Sequence, residues 1–168
     1  SGTILTVNGT LTISGAGKAA LNTGDIYAKG DITVTNTNAG ITTGVGTATI
    51  TINGIGNQIL TGSGTVGQGP LPSIVINKAS GNLTLSSVIT VAHYQNAGNW
   101  TFTSMGTGSL ITTGSTVAFY ERDNTFTITG SHTLNNVTFY PIGNVTNNIA
   151  SGTILTVAGT LALSGSGD

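Results

Sequence analysis

SGTILTVNGTLTISGAG, residues 1–17, returns as SGTILTVAGTLALSGSG at residues 151–167, with thirteen of seventeen positions identical at an offset of 150. Self-similarity at a fixed period is the mark of architectures built by stacking. Inside each copy the chemistry alternates with period two. Leu5 and Val7 flank Thr6, and Leu11 and Ile13 flank Thr12. Neighbouring side chains of a strand point to opposite faces, so the apolar pairs face inward and the threonines outward. The pattern runs along the whole chain, with Thr33, Thr51, Thr84, Thr90, Thr101, Thr127, Thr138 and Thr156 also set between apolar residues. Ile50/Ile52, Leu83/Leu85, Ile89/Val91, Trp100/Phe102, Phe126/Ile128 and Val137/Phe139 are the matching inward couples. β-Branched threonine on the outer face favours extended backbone, and the intervening Gly, Asn and Ser turn the chain.

Two all-β architectures fit many short strands with frequent turns: a β-solenoid of the parallel β-helix kind, and a β-sandwich. A sandwich needs hairpins and has no reason to repeat. A solenoid sets each coil on the next, so like residues recur at like positions. The repeat, the low charge and the threonine rows favour the solenoid. Only Lys18–Asn22 has helix-friendly composition, and five residues cannot hold a helix alone.

A looser likeness lies inside the long one. Residues 57–63 resemble 124–131, Gly81–Thr84 matches Gly143–Thr146, and Thr90–Ala92 matches Thr156–Ala158. This divides the chain into one full repeat over 1–150 and the start of the next at 151–168. The repeat itself reads as two diverged halves, roughly 44–113 and 114–150 continuing into the equivalent of 1–43. At about 20–30 residues per coil, one unit holds about five to seven coils. Pro70 and Pro72 mark a loop excursion off the stack.

Only nine residues are charged, 5% of the chain against a usual ~25%, and the net charge is −1. Such a composition suits a protein packed into an assembly or coated with sugar. Four scattered cations form neither a phosphate-tracking stripe nor a polybasic membrane patch, which excludes nucleic acid as a partner. No apolar run approaches the ~18 residues that span a bilayer, so no membrane insertion is expected in this segment. There is no cysteine, hence no disulfide or thiolate metal site. The sequence opens mid-motif without Met, as a processed or truncated chain would.

Asn-Leu-Thr-Leu at 82–85, Ala-Gly-Asn-Trp-Thr-Phe at 97–102, Gly-Ser-Thr-Val-Ala-Phe at 114–119 and Thr-Ile-Thr-Gly-Ser-His-Thr-Leu-Asn-Asn-Val-Thr-Phe at 127–139 carry a resemblance. They resemble repeats of very long bacterial surface proteins, the filamentous-haemagglutinin-like and autotransporter-like adhesins. The resemblance implies export, a β-solenoid fold and a structural or adhesive role at the cell surface. It brings no catalytic residue with it.

The residues that could carry chemistry are few. Glu121-Arg122-Asp123 reads as a charged turn, because adjacent strand residues rarely converge. His93 and His132 stand far apart in the sequence and read as turn or surface positions rather than metal ligands. No paired carboxylates, nucleophile elbow or phosphate loop is present, so no catalytic residue, cofactor or metal is expected. Five Asn-x-Ser/Thr sequons, at Asn8, Asn82, Asn99, Asn136 and Asn144, are possible glycosylation sites. The unpaired strands of the repeat ends supply an assembly surface made of Thr3, Leu5, Val7, Leu11 and Ile13 at one end and Leu155, Val157, Leu161 and Leu163 at the other.

The leading expectation is therefore not an enzyme but the structural repeat of a long extracellular fibre or surface filament, whose partner is itself, as a homopolymer or as adjacent repeats of the same giant chain. The alternative is a cell-surface adhesin binding glycans through Tyr94, Trp100 or Tyr120, although Trp100 reads better as core beside Phe102. An ice-binding solenoid and a carbohydrate-active enzyme fit less well. The threonine pairs do not recur at one coil length, and acids and bases are too few.

Overall fold

The computed structural model describes residues 2–39, 45–94 and 96–165. Ser1 and residues 166–168, which belong to the two repeat copies, lie outside them. The chain is a parallel β-solenoid without helix among the described residues. Its first coil holds β1 (Ile4–Val7) and β2 (Leu11–Ile13), the second β3 (Asp25–Ala28) and β4 (Ile32–Val34), the third β5 (Thr49–Ile52) and β6 (Gln58–Thr61). From the fourth coil each turn has three strands. These are β7 (Ser73–Asn77), β8 (Leu83–Ser86) and β9 (Val88–Tyr94), followed by β10 (Gly98–Ser104), β11 (Leu110–Ile111) and β12 (Thr116–Arg122). The sixth coil holds β13 (Thr125–Thr129), β14 (His132–Leu134) and β15 (Asn136–Ile142), and the seventh β16 (Thr146–Ile149), β17 (Leu155–Val157) and β18 (Leu161–Leu163).

The first face is a seven-stranded sheet in the order β1-β3-β5-β7-β10-β13-β16. The second is β2-β4-β6-β8-β11, with β14-β17 continuing the same side of the coil, and the third is β9-β12-β15-β18. Every strand pairing among the described residues is parallel, as expected when each strand meets its neighbour only after a full turn of chain. Register partners on the first face stand 21, 24, 24, 26, 28 and 21 residues apart, giving about six turns.

One inward column on this face runs Leu5–Ile26–Ile50–Ile74–Trp100–Ile128–Ile149. Its middle five members are at most 7% exposed, while Leu5 is 56% and Ile149 51% exposed. The core is thus continuous through the stack and open at both ends. Aliphatic residues fill the early coils, and the fifth and sixth coils take aromatics instead. There Phe119 packs on Trp100, Phe126 and Phe139 at ring distances of 5.9, 4.8 and 5.4 Å.

The prolines correct the sequence reading. Pro70, Leu71 and Pro72 are buried, and Leu71 forms a parallel bridge with Val91 that extends the third face by a rung. The preceding segment folds over the outside of that face. Gly67 donates its N–H to Thr90 Oγ1 at 3.0 Å, and Thr90, Ala92, Ala118 and Tyr120 are buried on what would otherwise be the solvent side. Proline is tolerated here because the bridge is made through the N–H and carbonyl of Leu71, between the two rings.

The end-to-end likeness also falls differently from a simple overlay. The first copy places Ile4–Val7 on the first face, whereas the second places Leu155–Val157 on the second face.

The open column gives a direct test. Ile74→Ala, in the middle, is expected to cost about 2–5 kcal/mol in urea unfolding. Leu5→Ala, in the same column at the rim, is expected to cost less than about 1 kcal/mol.

Candidate functional site

Glu121 is not in a turn. β12 runs to Arg122, so Glu121 follows Val117 and Phe119 on the inward side and is 1% exposed. His93, which the sequence reading put at the surface, follows Ile89 and Val91 inward on β9 and lies beside Glu121 in register. Its Nδ1 is 3.0 Å from Glu121 Oε1, and its Nε2 is 3.3 Å from Ser73 Oγ. Ser73 Oγ in turn accepts the Asn99 backbone N–H at 3.2 Å, and Glu121 Oε2 has no partner. Arg122 and Asp123 do form the expected exposed pair, at 3.5 Å.

A serine, a histidine and a carboxyl in sequence have the order used for nucleophilic catalysis. Here the imidazole and carboxyl side chains are 1% and 0% exposed, so protein encloses the row. Burial pushes the His93 imidazole down to about 4 and the Glu121 carboxyl up to about 9. Between those limits the pair holds a single proton, as a neutral acid against a neutral ring. Backbone fits tightly around it, since a Cβ on Gly98 would lie 2.0 Å from His93 Nδ1.

His132, also expected at the surface, is 9% exposed. Its geometry fixes the tautomer. The Gly130 carbonyl can only accept from Nδ1 (2.7 Å), and the Trp100 indole can only donate to Nε2 (3.0 Å). A third buried polar centre is Lys78, 1% exposed, whose ammonium donates to the carbonyls of Gly54 and Gly56 and to Gln58 Oε1. Gln58 Nε2 donates onward to the carbonyls of Ala28 and Gly30, so three coils are joined at one corner. Burial lowers the Lys78 pKa, and the three oxygens oppose that by favouring the ammonium. Parity was the signal available for the two strand residues, since Val91 to His93 and Phe119 to Glu121 are each one step of two.

Two of the three aromatics named for the adhesin alternative are not on the outer surface. Trp100 is fully buried and Tyr120 is 7% exposed, which removes both as glycan platforms. Tyr94 is half-buried beneath the Arg122 guanidinium, 5.2 Å from its ring. Asn8, Asn99 and Asn144 are exposed. Asn82 and Asn136 are half-buried, and their Oδ1 atoms accept the N–H groups of Ser109 and Thr160 on the following coil, at 3.0 and 2.9 Å. On the first face the outward column Thr6–Tyr27–Thr51–Val75–Thr101–Thr129 is interrupted by tyrosine and valine. Among the described residues no cluster of three His, Asp or Glu is placed to hold a metal ion.

The assembly residues named from the sequence lie at the two opposite ends. Thr3 and Leu5 are exposed, Val7 and Leu11 half-buried and Ile13 9% exposed in the first coil. Leu155 and Val157 are half-buried, and Leu161 and Leu163 are 54% and 78% exposed in the last. The core opens at each end into a recess. One, of about 420 Å³, is lined by Phe139, Pro141, Asn147, Ile149 and Leu163. The other, of about 310 Å³, is lined by Leu5, Leu21, Ile26 and Ala48 among others.

The fold and the site together define a parallel β-solenoid whose apolar core encloses a few polar side chains and is open at both ends. No family model, curated protein or solved structure matches the chain.

Two outcomes follow from the interior. Folded Glu121 keeps a proton that the unfolded chain releases above about 4.5, so its contribution is complete below that pH and is lost as pH rises through about 9. Folded His93 refuses a proton that the unfolded chain binds below 6.5, so stability is lost as pH falls toward about 4. The two slopes cancel between 4.5 and 6.5. Urea midpoints are therefore expected to decline from pH 6.5 to 9, and Glu121→Gln to flatten that decline. Lys78→Met, which strands buried acceptors, is expected to cost about 2–4 kcal/mol at neutral pH.

Proposed function

We propose that this chain is the structural repeat unit of a long extracellular fibre or surface filament, joined end to end through its strand edges. The observation that carries the reading is the inward column that is sealed in the middle and open at Leu5 and Ile149. Apolar side chains oriented toward the core yet half in water gain ~25 cal/mol per Å² when a further coil covers them. Unpaired strand edges beside them supply the matching backbone donors and acceptors. The likeness of residues 82–85, 97–102, 114–119 and 127–139 to bacterial surface repeats supports an exported role, as do three exposed sequons on a surface poor in charge.

Electron microscopy of the purified chain at rising concentration tests this. Uniform filaments about one solenoid wide are expected. Leu161→Lys combined with Leu163→Lys is expected to abolish them while leaving the circular dichroism unchanged. Discrete particles at every concentration overturn the proposal.

A further inference from the structure

The duplicated segment is seen twice, once from each side. The first copy, residues 3–13, has a coil above it and none below, because β1 and β2 are the terminal strands of their sheets. The second copy, residues 153–163, has a coil below it and none above. Toward β3 and β4 the first copy offers the carbonyls of Thr3, Val7 and Ile13 and the N–H of Leu11. Toward β14 and β15 the second copy uses the carbonyls of Ile154 and Thr160 and the N–H groups of Ala158, Gly159 and Ser164. The two sets do not overlap. The groups that correspond to those of the first copy belong to Thr153, Val157, Leu163 and Leu161, and they point away from the stack.

The four positions that differ between the copies spare the seat. Asn8, Thr12 and Ala16 are exposed where they stand, and the fourth change, Ile13 against Leu163, conserves volume. The remaining apolar residues that β3 and β4 cover are kept. Leu5, Val7 and Leu11 recur as Leu155, Val157 and Leu161. Gly9, whose carbonyl lies 2.3 Å from where a Cβ on Gly30 would sit, recurs as Gly159. The first copy is also lightly embedded, with Ile13 its sole buried side chain among the described residues.

Resting on the end-to-end reading above, we infer that units join by strand exchange. Residues 153–163 of one molecule take the place of residues 3–13 beneath β3 and β4 of a second copy, whose own first coil is displaced. Like replaces like at the seat, so little is lost there. The gain is the covering of Ile149, Leu161 and Leu163 and of the 420 Å³ recess beside them. The exchange also sets the angle between units. Six turns carry Leu5 to its column partner Ile149, 144 residues on, whereas the sequence equivalent of Leu5 is Leu155, on the next face. Each unit is therefore turned by one face of the three-sided coil relative to the last.

An engineered cysteine pair tests the exchange in the full chain, which has no cysteine of its own. Thr12 and Thr33 are outward register partners, so exchange brings Ala162, the counterpart of Thr12, beside Thr33 of the second copy. Adjacent strands place such residues within disulfide range. Within one chain these positions lie in the second and seventh coils and cannot meet. The T33C/A162C chain is expected to give a ladder of covalent oligomers on non-reducing gels, whereas a T12C/T156C chain, which reports face-matched abutment without exchange, gives none. Removing residues 1–17 clears the seat and is expected to lower the concentration at which filaments appear several-fold.

Filaments that cross-link through T12C/T156C, or that form without any T33C/A162C ladder, overturn the exchange and leave the fibre reading standing. Absence of both filaments and ladder overturns the two together.

Discussion

Every coil of this protein is held by backbone groups that belong to other coils. Successive peptide groups of a parallel strand point alternately to the coil before and the coil after, and a strand with one neighbour leaves half of them to water. Within a turn only short corner bonds close, such as the Ser115 N–H to the Thr112 carbonyl, and the longer ones run between coils. The N–H of Leu21 reaches the Val45 carbonyl, that of Lys78 the Ser104 carbonyl and that of Val137 the Thr160 carbonyl. Side chains follow a similar rule, since along its column an inward residue is covered by the residues one coil up and one coil down. The difference between Ile74, fully buried, and Ile149, half in water, is position in the stack rather than chemistry.

That requirement also explains where the polar residues went. Corners of a solenoid bring turn carbonyls from successive coils together, and such groups cannot be left unpaired inside. Lys78 answers one corner with its ammonium and Gln58 relays it to the coil beneath. At another corner Ser73, His93 and Glu121 hold one another, and His132 ties Trp100 to the Gly130 carbonyl. The two buried charges-in-waiting, Lys78 and Glu121, are a sizeable part of a very small inventory.

Much of the fold was legible because period-two chemistry is local. The couples Ile50/Ile52, Leu83/Leu85 and Phe126/Ile128 all lie inside, and coils of 21–28 residues match the expected spacing. The phase of the repeat was not legible, because strands on all three faces obey the same alternation. Thr90–Ala92 and Thr156–Ala158 look alike yet stand on the third and second faces. His93 and Glu121 were misplaced for a different reason. Alternation continues past the last apolar residue of each strand, and a polar side chain at the next inward step looks, in sequence, like the strand's end. Pro70 and Pro72 misled in the same way, since proline breaks a ladder only where its own N–H is needed.

The edges themselves argue for pairing. Proteins that keep an exposed sheet edge in solution guard it with lysine, proline, inward charges or a bulge. β1, β2, β16, β17 and β18 carry none of Lys, Arg, Asp, Glu or Pro. Among the described residues the charges stand elsewhere, on β3 and β12, at the corners or inside the core. A chain able to guard its edges with one lysine each has left them open and has repeated at one end the segment that fits the other. Both features leave the terminal strands of the described coils open to further pairing, which is the premise of the end-to-end joining proposed above.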